Sequence, residues 1–557
     1  MIYMKIFKFI KKYIFKYKLQ LFIFFILSIL SWIISISIPY ITGNYIDSLI
    51  YSQNSSTIFN FTMKILLIGI VSIVSSFIMN YSYVKLQTKS AIDLNLDVLN
   101  HIFKLPILYF KDIDTTYLNQ RVNSDSNTLV SFILNNMLDS IIKSLTLIFV
   151  FYISIRINRK LTILLIPFIP LYLAIYFIFK KPLFKSGHDL KEKQNKFFSK
   201  MNEQLYNIKL IKLNSTFEES GEQLRENFST VLVSLLKYTR ISYIFSSSDS
   251  MTVTIYQITI FLFGGMEIIN GGLTIGQFTI INSYFSMIME CISYYLSLGK
   301  SYQDALVSYN RLEKILNQSK EANGDKTLDT IDTIILENVY FSYDYTRNII
   351  NDFNYEFKKG SIYCITGRNG TGKSTFINLI LGLFNDYYKG NIYYNSLELR
   401  KLDMYSVRKR IIGISEQEPR LINDTIKKNV VYGINKYNYG DIEELLKKLN
   451  FDLNKFSKGI NTSLYEDANN ISGGEKLKIS LTRTFLKDPD VIILDEPTSV
   501  LDINSIEKLK FILNQIKEYK IIIIVTHSKE ILDIADEVIS SNEICYNLND
   551  KINVYQS

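Results

Sequence analysis

The sequence predicts a multidomain membrane protein, in which an N-terminal all-α, six-helix transmembrane domain precedes a C-terminal α/β domain of the P-loop type. Most of the long apolar runs lie before about position 300, strands and helices alternate after position 330, and a glycine-rich loop joins one of these strands to a helix. A chain of 557 residues is long enough for two cores. We place the helical domain at 1–317, a linker at 318–330 and the α/β domain at 331–557.

The composition supports a membrane half and argues against a nucleic-acid partner. The chain is 48% hydrophobic and carries a net charge of +9. Its lysines cluster beside apolar runs, as between Lys5 and Lys18, which is the placement that the positive-inside rule produces. We therefore expect no nucleic acid as a partner. The cysteines, Cys291, Cys364 and Cys545, match no metal spacing and predict no disulfide framework.

Six stretches have the roughly 20 mostly apolar residues that a membrane-spanning helix needs. They lie at 20–40, 61–83, 136–156, 161–180, 252–270 and 277–298. Two long Lys-rich segments, near 85–130 and 181–245, separate some of them and belong in the cytoplasm, as does the basic N-terminus. This predicts a multi-pass protein of the cytoplasmic membrane with both termini and the α/β domain in the cytosol. Arg156, Arg159 and Lys160 depart from the rule, because this topology places them outside.

The α/β domain is predicted from its alternation of elements. A hydrophilic stretch at 318–329, which contains the turn signal Asn323-Gly324, ends the helical half. Beyond it, 362–366, 491–494 and 521–525 are predicted strands and 373–383 is a predicted helix. This alternation indicates a largely parallel sheet with helices on its faces.

The strongest chemical signal is Gly367-Arg-Asn-Gly-Thr-Gly-Lys-Ser-Thr375, which matches the phosphate-binding pattern GxxxxGK[ST] between a predicted strand and a predicted helix. Glycines let the backbone turn tightly and point its N–H groups at phosphate oxygens, while the helix N-terminus favours anions. Lys373 can reach the terminal phosphates and Ser374 can hold Mg²⁺. The predicted nucleotide-binding residues here are Gly367, Asn369, Gly370, Thr371, Gly372, Lys373, Ser374 and Thr375.

Two downstream motifs complete the pattern. The apolar run 491–494 ends in Asp495, which can coordinate Mg²⁺, and Glu496, which is placed to orient or deprotonate an attacking water. Between the loop and this strand lies Ile471-Ser472-Gly473-Gly474-Glu475, ahead of a helical run. A serine and two glycines before a helix form a second anion-binding terminus.

In this order the motifs resemble the nucleotide-binding domain of ATP-binding-cassette (ABC) transporters. The phosphate loop resembles their Walker A motif, 491–496 their Walker B motif and 471–475 their signature motif. The resemblance implies further roles: Gln417 in the Q-loop, Tyr343 stacking on adenine, Asp502 in the D-loop and His527 as the switch histidine. It makes Glu496, His527 and Gln417 the expected catalytic residues. The expected nucleotide contacts then gain Tyr343, Ser472, Gly473, Gly474, Glu475 and Asp502, and the expected Mg²⁺ ligands are Ser374, Gln417 and Asp495.

This sequence departs from the family pattern in the signature motif and before it. Glu475 replaces the usual glutamine and Ile471 the usual leucine, and we still expect an active signature. The added negative charge of Glu475 is expected to weaken nucleotide affinity somewhat. Glu466 lies at a position that resembles the short segment with which exporters contact their membrane-domain helices. The glycines expected around that segment are absent from this sequence.

The membrane half resembles the six-helix domain of ABC exporters. Leu105-Pro-Ile-Leu-Tyr-Phe110, followed by Arg121 and Asp125, is similar to their first intracellular loop. The resemblance implies ATP and Mg²⁺ as ligands, and a dimer that sandwiches ATP between the Walker A motif of one half and the signature of the other. We favour a homodimer, with a heterodimer of this consensus-site half and a degenerate partner as the alternative. The expected cargo is a peptide or an amphipathic small molecule, and a lipid or drug flippase or exporter is the alternative.

Ionisable residues inside membrane helices are often functional. Asp139 and Lys143, one helical turn apart, are expected to form an internal ion pair rather than to contact substrate. Glu290 is the best candidate for a cavity, and Asp249 is expected near the membrane edge. No peptidase-like domain is expected before the first helix. Two other classes remain: an ABC ATPase without transport would lack the apolar spans, and an ATP-gated sensor or channel would tolerate loss of Glu496.

Overall fold

The computed structural model describes residues 2–51, 55–111, 115–343, 348–368, 370–434, 437–465 and 468–544. They form two compact units. The first, which we call the helical unit, comprises Met1–Ile102 and Thr115–Asn317, and the second, the α/β unit, comprises Phe103–Asp114 and Gln318–Ser557. Cys291 and Cys364 are buried free thiols, and Cys545 lies outside the described residues.

The helical unit is built from long helices whose outer faces are apolar. On the third helix, Ile73 and Phe77 are 73% and 72% exposed. A helix of a water-soluble bundle would place polar side chains at such positions, so these faces are suited to lipid. The helices are α1 Ile2–Ile14, α2 Lys18–Tyr51, α3 Ser55–Ile102, α4 Thr115–Ile157, α5 Arg159–Leu165, α6 Phe168–Tyr206, α7 Ile208–Asn214, α8 Phe217–Ile269 and α9 Ile275–Leu316.

Five helical segments among the described residues are long and apolar enough to cross a membrane: Lys5–Ile50, Ile58–Ile102, Arg121–Ile157, Arg159–Tyr206 and Phe217–Ile269. They contain four of the six predicted spans in full, and a fifth, 252–270, except for its last residue. The sixth, 277–298, lies in α9 but is not among these segments. Within the helical unit, Ile280 and Tyr284 of α9 pack into a core with Ile36 and Val150.

The start of α9 is fixed by a capping box and by a close approach of α2. The Thr274 hydroxyl accepts a hydrogen bond from the backbone N–H of Gln277, whose side chain in turn bonds the Thr274 N–H. A Cβ on Gly43 would lie 2.5 Å from the Gly276 carbonyl oxygen, so only glycine permits this contact between helices. Asp47 accepts a hydrogen bond of 2.8 Å from the Gly276 N–H.

The α/β unit contains a parallel and an antiparallel sheet. The strands among the described residues are β1 Thr333–Phe341, β2 Ile350–Lys358, β3 Ser361–Thr366, β4 Tyr388–Tyr394, β5 Leu397–Glu398, β6 Ile412–Ser415, β7 Val491–Asp495, β8 Ile521–Val525 and β9 Glu537–Ser540. The parallel sheet has the order β6-β7-β8-β3-β9, and the antiparallel sheet has the order β2-β1-β4-β5. The helices are α10 Lys373–Ile380, α11 Met404–Arg410, α12 Ile426–Val430, α13 Tyr439–Lys448, α14 Gly473–Leu486, α15 Ile503–Ile516, α16 Lys529–Leu532 and α17 Ser541–Ile544.

The parallel sheet places the carboxyl ends of its strands at one edge. Asp495, the last residue of β7, pairs with Val525, the last residue of β8, and Val525 pairs with Ile365 of β3. All five residues of β8 are fully buried, as expected of a strand covered on both faces. The loops that leave these strands therefore begin side by side, and the site is built from them.

The segment at 318–330 packs against the α/β unit. Arg408 of α11 forms a 2.6 Å ion pair with Glu321, and the Gly324 N–H donates to the Leu402 carbonyl at 2.9 Å. The short piece 103–114 also belongs to this unit, because the Glu321 N–H donates to the Lys104 carbonyl and Leu108 packs on the main core. These contacts bring Lys111 to the site described below.

Candidate nucleotide-binding and hydrolysis site

The phosphate loop joins β3 to α10 through glycines in the left-handed region. Gly367, Gly370 and Gly372 have φ values of +149°, +82° and +90°. No atom would obstruct a Cβ on Gly370, so glycine is required there by its backbone conformation and not by space. Asn369, which the sequence predicts as a nucleotide contact, lies outside the described residues, as does Glu466.

The ammonium group of Lys373 is held among neutral acceptors. It donates to the Gly367 carbonyl oxygen and lies 2.7 Å from Nε2 of His527, the residue that follows Thr526 after β8. Lys373 is buried, and among the described residues no carboxylate lies within ion-pair distance of it. A buried ammonium with no carboxylate in direct contact fits a phosphate chain, which would place negative charge beside it. Two residues predicted from separate motifs are thus brought together.

Glu496 and Gln417 are also brought together, from the ends of β7 and β6. The Gln417 amide Nε2 donates a 2.8 Å hydrogen bond to the Glu496 carboxylate. Glu496 has a φ of +45°, an unusual conformation for a residue with a side chain, and its N–H is anchored on the Val525 carbonyl at 2.8 Å. Such backbone strain is concentrated at functional sites, where the surrounding structure holds it.

Asp495 lies beside Glu496 at the end of β7. Burial raises the pKa of Asp495, and the nearby charges of Glu496 and Glu416 raise it further, whereas Lys373 and a hydrogen bond with Ser374 act in the opposite direction. A carboxylate surrounded by other acids is stabilised by a cation, so the Asp495 and Ser374 oxygens fit Mg²⁺.

The predicted Mg²⁺ ligands are not all carboxylates. Among the described residues, no group of three or more His, Cys, Asp and Glu side chains is arranged to hold a metal ion. The predicted set instead combines a hydroxyl, an amide and one carboxylate, from Ser374, Gln417 and Asp495. Mg²⁺ commonly takes one or two carboxylates, with waters and substrate phosphates completing its shell, so this set is compatible with it.

The signature motif forms the N-terminus of α14 through a capping box. The Ser472 hydroxyl accepts a hydrogen bond from the Glu475 N–H, and the Glu475 carboxylate accepts from the Ser472 N–H and hydroxyl, both at 2.8 Å. Lys455 lies 3.6 Å from the same carboxylate. Burial raises the pKa of Glu475, but the Ser472 hydrogen bonds and the Lys455 charge outweigh it and leave that pKa below its usual value. The negative charge of Glu475 is therefore balanced locally by Ser472 and Lys455, an arrangement that the sequence did not predict.

Gly473 and Gly474 pack beside the segment that leads to Asp502. A Cβ on Gly474 would lie 2.8 Å from the Val500 carbonyl oxygen, so a side chain there would force the two segments apart. Asp502 caps α15 by accepting from the Ser505 N–H at 2.9 Å, and it forms a 3.0 Å ion pair with Lys478 of α14. These contacts hold the pKa of Asp502 well below its usual value. The described contacts of Asp502 are thus internal to the α/β unit.

Tyr343 lies next to the phosphate loop, and one of its ring faces is occupied. Its hydroxyl is 3.0 Å from the Thr375 hydroxyl, and the Lys111 ammonium is 4.7 Å from its ring centroid. The rings of Phe341 and Phe384 meet it edge-on. An adenine that stacks on Tyr343 therefore needs either the other face or displacement of Lys111. Sequence reasoning missed Lys111, because nothing in the local pattern pairs it with a residue so distant in the chain.

In the helical unit, the expected pairing of Asp139 with Lys143 is wrong. Lys143 forms its ion pair with Glu290 of α9 at 2.6 Å. The reason is that α4 packs along α9, with further contacts between the Ser140 and Tyr294 hydroxyls at 3.0 Å, so a partner across the interface is nearer than one on the same helix. The Glu290 side chain is 70% exposed, whereas Lys143 is 24% exposed.

Comparison with known proteins identifies the two units. Residues 21–291 match the family model of the ABC transporter transmembrane region, and residues 350–499 match that of the ABC transporter itself. The chain is 27% identical over 526 residues to the lactococcin-A transport/processing ATP-binding protein LcnC of Lactococcus lactis subsp. lactis, covering 92% of this chain and 72% of the relative. It is 22% identical over 536 residues to YgaD of Bacillus subtilis, described as a candidate multidrug export ATP-binding/permease protein, covering 94% and 92%.

The fold is also found in a solved structure. A bacterial Atm1-family ABC exporter with ATP bound superposes with a TM-score of 0.81 at 16% identity, over 97% of this chain and 98% of that one. The matched regions cover most of the helical unit and the loops that follow β3, β6 and β7, and they end before β8 and His527. The chain belongs to the ABC transporter family, as an exporter-type half-transporter whose transmembrane region is fused to an ATP-binding ATPase domain coupled to transport.

Proposed function

We propose that two copies of this chain form a homodimer that hydrolyses Mg·ATP and exports a peptide or an amphipathic small molecule across the cytoplasmic membrane. The observation that carries the proposal is the convergence, in one chain, of Lys373 with His527 and of Gln417 with Glu496 at the same edge of the parallel sheet. A chain with the whole set can supply two equivalent sites. In a heterodimer, the second half-transporter would lack some of these residues, and this chain would have to supply them. The homodimer needs no such partner, so it is the simpler assembly.

The arrangement of contacts supports a site shared between two chains. The described contacts of Lys373 are with Gly367, Arg368 and His527, whereas those of Ser472 and Glu475 are with each other and with Lys455. Each half-site is thus a separate cluster with its own potential for binding anions. We propose that the phosphate loop of one copy and the signature of the other enclose one ATP, and that closure around it drives alternating access.

The chemistry assigned to each side chain follows from its surroundings. Lys373 binds the terminal phosphates, Glu496 orients or deprotonates the attacking water, and Gln417 fixes the Glu496 carboxylate by its hydrogen bond. His527 holds the Lys373 ammonium from the end of the neighbouring strand. Ser374, Gln417 and Asp495 would hold Mg²⁺, which when bound neutralises charge on the phosphate oxygens.

The cargo is inferred from the relatives and from the helical unit. One relative is named for lactococcin-A transport and processing and another for multidrug export, so both peptide and small-molecule cargo are represented. An amphipathic compound suits spans that carry both aromatic and ionisable side chains. The alternative is a lipid or drug flippase, which would move its cargo between leaflets. The basic segments support a cytosolic position for both termini and for the ATPase domain.

The test is ATP hydrolysis by the purified chain alone in lipid nanodiscs, with native mass spectrometry on the same sample. The proposal predicts two copies per particle and hydrolysis without any companion. Particles with two copies that hydrolyse ATP only after a different half-transporter replaces one copy would refute the homodimer. Inside-out proteoliposomes, offered a cationic bacteriocin-like peptide, an amphipathic dye or a fluorescent phospholipid, then identify the cargo. ATP-dependent movement of the lipid alone would favour the flippase.

A further inference from the structure

An aromatic cavity of about 130 Å³ lies between α6, α8 and α9 of the helical unit. The rings of Tyr256 and Phe285 stack with centroids 3.8 Å apart, and Phe168 meets both rings edge-on at 5.9 and 6.3 Å. The volume is close to the roughly 150 Å³ in which an apolar protein cavity holds benzene. The lining residues are Phe168, Thr252, Val253, Tyr256, Phe285, Ser286 and Met289.

One helical turn from this cavity lies a layer of polar side chains. Asp249 precedes Thr252 and Val253 by three and four residues on α8, which places them on one face of that helix. By the same spacing, Tyr172 lies four residues beyond Phe168 on α6, and Ser293 four residues beyond Met289 on α9. The Tyr172 hydroxyl interacts with both Ser293 and Asp249, so the three side chains meet about one helical turn from the residues that line the cavity.

The Asp249 carboxylate is incompletely satisfied. Its Oδ1 atom is buried and has no hydrogen-bond partner among the described residues. No Lys or Arg of the described residues lies within ion-pair distance of it, whereas the charge of Glu290 is matched by Lys143. A buried carboxylate oxygen without a donor, at the edge of an apolar span, is costly. The unmatched group therefore points to a ligand that brings donors and positive charge.

We propose that Asp249 and this aromatic cavity form a binding subsite for an organic ammonium group. The ammonium N–H groups donate to Asp249, and the apolar part that carries them occupies the cavity beside the stacked rings of Tyr256 and Phe285. Aromatic faces attract cations, so the aromatic lining and the Asp249 carboxylate both favour a cationic organic ligand. The inference rests on the proposed export function in one respect, namely that the ammonium ligand is part of the exported cargo. Binding of the ligand at Asp249 does not itself require ATP hydrolysis.

The experiment measures equilibrium binding of benzylammonium to the full-length protein in nanodiscs without nucleotide, by isothermal titration calorimetry. We expect saturable binding that Asp249→Asn weakens at least tenfold. Neutral benzyl alcohol, which has the same ring, should bind more weakly and equally well to both proteins. The matched control is Asp304→Asn, the same change on α9 about 22 Å along the helix from Met289 at 1.5 Å per residue. It should leave benzylammonium binding unchanged.

Undiminished benzylammonium binding to Asp249→Asn, or an equal loss in Asp304→Asn, would overturn the subsite, as would failure of benzylammonium to bind the wild type. If Asp249→Asn does not assemble, Ser286→Leu fills the cavity from α9 and should abolish binding; unchanged binding there also refutes the proposal. ATP hydrolysis is measured on the same samples. Hydrolysis without benzylammonium binding refutes the subsite and leaves the proposed function intact. Binding without hydrolysis supports the subsite and contradicts the proposed function.

Discussion

The amide of Gln417 donates a 2.8 Å hydrogen bond to the carboxylate of Glu496, and this bond joins the loops that leave two adjacent parallel strands. Glu496 is held with a φ of +45°, so its side-chain direction depends on such contacts as well as on the backbone. The pair gives the first prediction, because a carboxylate that loses its donor is free to rotate away from the attacking water.

Gln417→Ala should lower kcat for ATP hydrolysis by about 10–100-fold, which corresponds to the roughly 1.5–3 kcal/mol of a hydrogen bond to a charged group. The rate is measured in nanodiscs at saturating Mg·ATP. Glu418→Ala, an exposed neighbour in the same loop, is the control and should keep the wild-type rate. A kcat for Gln417→Ala within a factor of two of wild type would show that the bond does not position Glu496.

Asp495 should limit the stability of the nucleotide-free protein. Because burial and its acidic neighbours raise its pKa, the ionised Asp495 carboxylate is less favourable in the folded state than in the unfolded chain, and it destabilises the fold above that pKa. Stability that involves this group therefore increases as pH falls through the raised pKa. Asp495→Asn removes the charge and should raise the Tm at neutral pH, by about 2–4 °C for each kcal/mol relieved in a domain of this size.

The same substitution should abolish Mg²⁺-dependent hydrolysis, since it removes the only carboxylate among the predicted ligands. The two readouts together are diagnostic, because a substitution that merely disrupts the fold lowers both. If Asp495→Asn without nucleotide has a lower Tm than the wild type, the Asp495 charge does not destabilise the folded protein. The Tm is followed by thermal unfolding of the detergent-solubilised protein with EDTA present.

Lys455 should compensate for the carboxylate in the signature. Its ammonium lies 3.6 Å from Glu475 and is exposed, so a coupling of about 0.2–1 kcal/mol is expected for the pair. Lys455→Met should therefore raise the KM for ATP by up to about fivefold in the wild-type background. In a Glu475→Gln background, where the charge is absent, the same change should have little effect. Equal effects in both backgrounds would show that Lys455 does not act through Glu475.

Asp502 should contribute to stability through a helix cap and through Lys478. Asp502→Ala removes both and should cost about 0.5–2 kcal/mol for the cap alone, with more from leaving the buried Lys478 ammonium unpaired. Asp502→Asn keeps the cap, so it should lie between wild type and alanine in thermal unfolding. Because the pKa of Asp502 is lowered, its contribution is complete above its ordinary pKa and is lost as pH falls through the lowered one. An alanine variant as stable as wild type would contradict this role.

Much of the α/β unit could be predicted because its signals are local. The phosphate loop and the strand that ends in Asp495 are contiguous patterns whose periodicity and glycines dictate their conformation. The antiparallel sheet of β1, β2, β4 and β5 was not predicted, since strand pairing between distant segments leaves no short-range mark. The pairing of Lys143 with Glu290 was missed for the same reason: the spacing of Asp139 and Lys143 was visible, whereas the packing of α4 on α9 was not.

In the site, the sequence predicted which residues would act but not which side chains they contact. Lys455 beside Glu475 and Lys111 over Tyr343 are contacts between loops, and a lysine on the surface of a loop has no pattern that distinguishes it from any other. Such contacts are set by tertiary packing of segments far apart in the chain. They alter the expected properties of Glu475 and Tyr343, and so they change what a substitution at either position should do.

If Glu496 carries ATP hydrolysis by this chain, steady-state turnover of Glu496→Gln in nanodiscs should fall by about 100-fold or more, as expected for loss of a catalytic acid–base group. ATP binding should be retained in an equilibrium assay. Glu507→Gln, an equivalent change on α15, should hydrolyse ATP at the wild-type rate. Unchanged turnover in Glu496→Gln would show that Glu496 does not carry hydrolysis.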